Sequence, residues 1–289
     1  MQKVDLPELF IDSSKNNKDV YVHFFQSNIY NNKTKITLNT NLISFLLEGN
    51  KELYHNNLSQ KITENEFVLA KSGNCLMSEN LSVENKYSSL LFFFNQNFII
   101  DFKRKHALLL SKKQNLMNED KSFLVLEYDV FTKNFVSSLQ QLLESENSIP
   151  NAFITLKLEE IMLYLVQKHG SEILFFFDLE SQKRDKKKLK LQRIVENNIY
   201  SKLSVEELAF LCHMSLSTFK REFNKIYKMP PSNWIQEKRL EKSAHLLSFE
   251  KERPSDVYHL IGYESLSSFT QSFKQKFGTT PKKYQLEVN

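Results

Sequence analysis

Between Val20 and Phe94 the apolar residues come in short runs broken by Asn, Gly and Ser: Val20 to Phe25, Lys35 to Asn39, Ile43 to Leu47, Glu52 to His55, Glu66 to Ala70, Asn74 to Ser78 and Tyr87 to Phe94. Each run is rich in β-branched or aromatic residues, which predicts a strand. Gly49-Asn50, between two of them, predicts a hairpin turn. Strands at this spacing predict a small barrel or sandwich. After Phe94 the period lengthens. Asn97 to Lys105, Asp129 to Glu144 and Ala152 to Lys168 repeat at helical spacing, the last with Ile154, Leu158, Ile161, Met162 and Leu165 on one side.

Near the end the chain spells one pattern twice. Ser215-Leu216-Ser217-Thr218-Phe219 leads to Phe223, Tyr227 and Pro231. Fifty residues later, Ser265-Leu266-Ser267-Ser268-Phe269 leads to Phe273, Phe277 and Pro281. Aromatics at i, i+4 and i+8 form one buried stripe of a short helix and leave its other face free. Upstream, Ser204-Val205-Glu206-Glu207 is a capping box that starts a helix through Leu208, Ala209, Leu211 and Cys212. The chain then turns near His213-Met214 and restarts with Ser215 as a second N-cap. Helix, tight turn and second helix form the geometry that reads a DNA major groove. The second copy is preceded by Asp256 to Glu264, where Gly262 supplies the turn. Trp234 to Phe249 reads as one connecting helix bounded by Pro230-Pro231 and Pro254.

With these residues in view, the stretch from about Leu189 to Tyr284 resembles the DNA-binding domain of the AraC family of bacterial transcription regulators. The likeness rests on Leu208-Ala209, on Trp234 to Leu247 with Arg239 and Ala244, and on Gly262-Tyr263, Ser267, Phe269, Phe273-Lys274, Phe277-Gly278, Pro281 and Tyr284. It implies an α+β protein: an N-terminal cupin-like β-barrel with C-terminal helices, then an all-α domain of two helix-turn-helix motifs joined by a long helix. Two departures stand out, Tyr258 where the family carries a small residue and His213 where it carries a Gly. By position in the family motif, Ser217, Lys220 and Arg221, and Ser267, Thr270 and Gln271, match residues that face bases. Arg221 suits guanine O6 and N7, and Gln271 suits adenine N6 and N7. Thr218, Thr280, Lys282 and Lys283 are expected to hold phosphates. Leu46-Leu47-Glu48-Gly49, Leu156 to Glu160 and Asn233 to Arg239 are similar to the subgroup that contains activators of type III secretion genes, which a protein anti-activator regulates. The resemblance implies an activator that contacts double-stranded DNA and RNA polymerase. It also implies a homodimer through the N-terminal domain, which answers to a small-molecule effector or a protein anti-activator.

Charge agrees without reference to the family. From residue 183 onward there are 21 Lys and Arg against 12 Asp and Glu, whereas residues 1–182 hold 18 against 22. The basic excess therefore coincides with the reading domain and supplies salt-dependent affinity for DNA. The 289 residues allow two domains, predicted as 1–178 and 191–289 about a charged linker, 179–190, whose run Lys183 to Lys188 resists burial. The rival from another class is a small-molecule or sugar-binding barrel whose basic tail holds nucleic acid loosely. A barrel pocket would be lined by some of Phe24, Phe25, Phe45, Phe67 and Phe92 to Phe94. Catalysis, a cofactor and a metal find no support. The seven His show no ligand spacing, five Gly form no phosphate loop, and Cys75 and Cys212 read as reduced, buried thiols. No signal peptide or membrane span is evident, so the expected location is the cytoplasm.

Overall fold

The computed structural model describes residues 3–11, 19–55, 58–107, 122–145, 149–177 and 187–288. It divides into two compact units, one built almost wholly from the chain up to Arg184 and the other from Asp185 onward.

The first unit carries ten strands: β1 Lys3–Leu6, β2 Val20–Ser27, β3 Asn31–Leu38, β4 Asn41–Glu48, β5 Asn50–His55, β6 Leu58–Ile62, β7 Glu66–Ala70, β8 Gly73–Asn80, β9 Tyr87–Phe94 and β10 Phe123–Glu127. They form two five-stranded sheets, ordered β1-β3-β8-β5-β6 and β10-β7-β4-β9-β2. Four helices follow the strand pattern: α1 Gln96–Lys105, α2 Val130–Ser145, α3 Asn151–His169 and α4 Glu172–Phe176. All eight residues of β9 are buried, because the second sheet is covered on both faces. Leu90, Phe92 and Phe94 pack with Ile43, Phe45, Phe67 and Leu69 against helix residues such as Phe98, Leu158 and Ile161. Leu91 and Phe93 turn the other way, toward Leu42, Ile36 and Leu38 between the sheets. A strand buried on both sides reads as an unbroken apolar run, as Leu90 to Phe94 does.

Two expectations are corrected here. Phe45, Phe67, Phe92 and Phe94 face the helices, so the aromatic pocket lining is redistributed; of the residues expected there, Phe25 lines the cavity between the sheets. Gly49-Asn50 is not a hairpin, since β4 pairs with β7 and β9 while β5 pairs with β8. The chain changes sheets at Gly49, whose φ is +86° and where an added Cβ would meet the Asn80 carbonyl at 2.6 Å. Only glycine tolerates both conditions. Three strands have no counterpart in the expectation. Four-residue β1 owes its extension to parallel pairing with β3, polar β6 shows no alternation, and the apolar run in β10 fits helix and strand equally well.

The second unit is helical: α5 Lys187–Glu196, α6 Val205–Leu211, α7 Leu216–Tyr227, α8 Pro231–Ser248, α9 Pro254–Leu260, α10 Leu266–Phe277 and α11 Pro281–Val288. Helix α5 begins inside the stretch read as linker, with Leu191 and Val195 buried; residues 179–186 lie outside the described residues. Prolines stand in the first turn of α8 and α9, where a missing N–H costs nothing. The connecting helix therefore starts at Pro231, three residues before Trp234. Phe219, Phe223, Phe269 and Phe273 are fully buried. The repeat extends to their neighbours: Phe223 meets Trp234 edge-on with centroids 5.7 Å apart, and Phe273 meets Tyr284 in the same way at 5.3 Å.

Candidate nucleic-acid interface

The two helix-turn-helix motifs are closed by local hydrogen bonds that their sequences anticipate. Ser204 accepts from the Glu207 amide at 3.2 Å while the Glu207 carboxylate accepts from the Ser204 amide at 2.7 Å, completing the capping box of α6. Ser215 and Ser265 cap α7 and α10 by accepting from the amides of Thr218 and Ser268. Each first helix ends in the same way. The Met214 amide donates to the Ala209 carbonyl and that of His213 to Phe210; in the second copy Tyr263 donates to Tyr258 and Gly262 to His259. This is the paired bond pattern of a helix C-terminus whose following residue is left-handed, and His213 and Gly262 have φ of 57° and 79°. Ser215 stands two residues after His213, whereas Ser265 stands three after Gly262, so the second turn is one residue longer.

With the aromatic stripes buried, the opposite faces are free. Ser217, Lys220 and Arg221 on α7 are exposed together with Asn224 and Lys225; on α10 Ser267 and Gln271 are exposed and Thr270 is half-buried. The Arg221 Nε donates to Glu222 Oε1 at 3.2 Å and the Lys225 ammonium to the same oxygen at 3.0 Å. These two cations, Lys225 before Arg221, hold the Glu222 carboxyl below its usual range. Among the expected phosphate contacts, Lys282 and Lys283 are exposed at the start of α11. The hydroxyls of Thr218 and Thr280 have local partners: Ser215 Oγ donates to Thr218 Oγ1 at 2.9 Å, and Thr280 Oγ1 accepts from the Lys283 amide at 3.4 Å. Both threonines lie in the first turn or cap of their helices, where orphan N–H groups accumulate.

Arg239 is the residue whose role the sequence leaves unstated. From α8 its guanidinium donates to the carbonyls of Ile199 at 2.6 Å, Ser201 at 2.5 Å and Gly262 at 3.1 Å. It thereby ties the segment before α6 to the turn of the second motif. Gly262 is pressed on the same segment, since a Cβ there would meet the Tyr200 carbonyl at 2.5 Å. No spacing rule reveals this contact, because the partners are backbone carbonyls 23 to 40 residues away.

Comparison with known proteins joins the two units. A family model described as the ExsA N-terminal regulatory domain matches residues 41–177, and a helix-turn-helix domain model matches residues 208–287. The chain is 27% identical over 190 residues to the virulence regulon transcriptional activator VirF of Yersinia enterocolitica, covering 66% of this chain and 69% of that one. It is 24% identical over 238 residues, 82% of each chain, to the HTH-type transcriptional regulator ExsA of Pseudomonas aeruginosa. A crystal structure of apo ToxT from Vibrio cholerae aligns at 18% identity over 95% of this chain and 99% of its own, with a TM-score of 0.44. With a helix-turn-helix domain of the AraC type in its second unit and a match to the ExsA regulatory domain in its first, the chain is a DNA-binding transcription regulator similar to VirF and ExsA.

Proposed function

We propose that this protein is a transcriptional activator that reads an asymmetric operator through α7 and α10, placed in successive major grooves. The observation that carries the reading is the division of labour within each repeat. The matched residues, Phe219, Phe223, Phe269 and Phe273, are buried, while the residues that differ, Lys220-Arg221 against Thr270-Gln271, lie on the outward face. Ser217, Lys220, Arg221, Ser267, Thr270 and Gln271 read bases. Thr218, Thr280, Lys282 and Lys283 hold phosphates, the threonines through their capped helix starts.

VirF is named as a transcriptional activator, which supports activation here; in this reading the protein works in the cytoplasm by contacting RNA polymerase. Among the described residues no helix is long and apolar enough to cross a membrane. The N-terminal unit pairs two copies and receives the signal, a small molecule or a protein anti-activator. Helix α3 supports pairing: Phe153 and Leu156 are 54% and 57% exposed, one turn apart on the side away from buried Leu158 and Ile161.

The test is fluorescence anisotropy on a promoter fragment bound by the protein in the cell, against random DNA of equal length at physiological salt. The promoter fragment is expected to bind at least about a thousandfold tighter. Affinities within a few-fold of each other would remove the sequence-specific reading.

A further inference from the structure

The cavity between the two sheets is built unlike an ordinary core. It encloses about 230 Å³, and one end is apolar, with Leu6, Ile36 and Leu38 on its walls. At the other end Asn31, Glu79 and Lys51 stand in one row across β3, β8 and β5. Lys51 and Glu79 are directly opposed on neighbouring strands, so both side chains leave the same face of the sheet. They are 2% and 8% exposed.

Their hydrogen bonds leave capacity unused. The Lys51 ammonium donates to Ser44 Oγ at 2.6 Å and lies 5.8 Å from the centre of the Tyr87 ring. Glu79 Oε2 accepts from the Asn31 amide group at 2.9 Å. The Tyr87 hydroxyl is buried and makes no well-formed hydrogen bond, with Ser89 only a loose neighbour. An ammonium has three protons and a carboxylate two oxygens, and burying them half-used is costly. Burial draws the Lys51 pKa down to about 8 and raises that of Glu79.

We propose that this cavity binds a small amphiphile whose uncharged head carries both an acceptor and a donor, as a primary amide does, with an apolar tail filling the Leu6–Leu38 end. Lys51 and the Tyr87 hydroxyl donate to the head carbonyl, and Glu79 accepts from its N–H. A carboxylate head is disfavoured because Glu79 stands beside the ammonium, and an ester head offers Glu79 no proton. Pockets of this kind take their affinity from the apolar wall and their selectivity from a few converging polar groups. The inference deepens the reading of the N-terminal unit as a sensor.

Calorimetric titration of the full-length protein with octanamide, octanoate and methyl octanoate tests it, alongside the same titrations of Lys51→Met and Glu79→Gln. Octanamide is expected to bind one per chain and at least about tenfold tighter than the other two, a difference of about 1.4 kcal/mol. Lys51→Met should erase that preference in a chain that still unfolds cooperatively, though at a lower temperature, because Glu79 loses its neighbouring cation. Octanoate binding tightest, octanamide binding Lys51→Met equally well, or no binding by the folded protein would each overturn the proposal. Promoter affinity measured with and without octanamide separates site from sensor. Binding that leaves DNA affinity unchanged upholds the site and removes only its coupling to DNA, and failure of promoter-specific binding leaves the titration result standing.

Discussion

Arg221 begins with its Nε held by Glu222, so pairing with a guanine edge exchanges an exposed ion pair worth little for a bidentate contact. Arg221→Ala is therefore expected to cost about 1–3 kcal/mol on the preferred operator and to relax preference at one position. Lys282→Ala should weaken every sequence alike and reduce the salt slope by about one. Competition anisotropy across an operator library distinguishes them, and a uniform loss from Arg221→Ala would mean that another face enters the groove. Lys51 makes a prediction of a different kind. Its pKa is near 8 when folded, by burial, against an ordinary value of 10.5. Between these values the unfolded chain binds more protons, so stability rises with pH across that window. The gain over Lys51→Met should reach up to about 3 kcal/mol by pH 10.5, read as the difference between their urea midpoints. The charged and hydroxyl residues of α7 and α10 were legible from spacing and family position; the use of Thr218 and Thr280 in their own helix starts was not, because it depends on rotamers.

At the scale of elements the two turns look alike and are held differently. His213 adopts a left-handed φ with a Cβ, which costs on the order of 1–2 kcal/mol. His213→Gly removes that strain but adds freedom to the unfolded chain. The net change is expected within about 1 kcal/mol, with DNA binding intact. Gly262→Ala meets the same strain and a backbone carbonyl at 2.5 Å, so it should destabilise the helical unit by at least about 2 kcal/mol. Trp234 belongs to that unit and its fluorescence on urea unfolding reads both variants. Phe273→Ala, at a fully buried site, should cost roughly 3–5 kcal/mol. The helices were legible because their caps, prolines and apolar periods are local. The sheet change at Gly49 was not, since the same dipeptide serves hairpins and corners and only strand pairing distinguishes them.

At the scale of the molecule, the basic excess lies on the reading unit and an apolar stripe on the other. A single-charge change at the stripe separates their roles. Leu156→Glu is expected to shift the protein toward monomer in native mass spectrometry and to weaken operator binding, because a dimer adds the contacts of two reading units, while each unit keeps its fold. An unchanged oligomeric state would move the pairing surface elsewhere.

By itself the sequence determined the repeated helix-turn-helix, its caps, its buried aromatic stripe and its charge. All of these arise from residues within a few turns of one another, where periodicity and hydrogen-bond chemistry decide the outcome. Tertiary structure alone decided which face of each strand met helices and which met the opposite sheet, so that Phe92 left the cavity and Lys51 entered it. It also decided that Arg239 and Gly262 share a contact with residues 199–201. These outcomes depend on contacts between segments far apart in the chain, and an apolar residue looks the same in sequence whichever neighbour buries it.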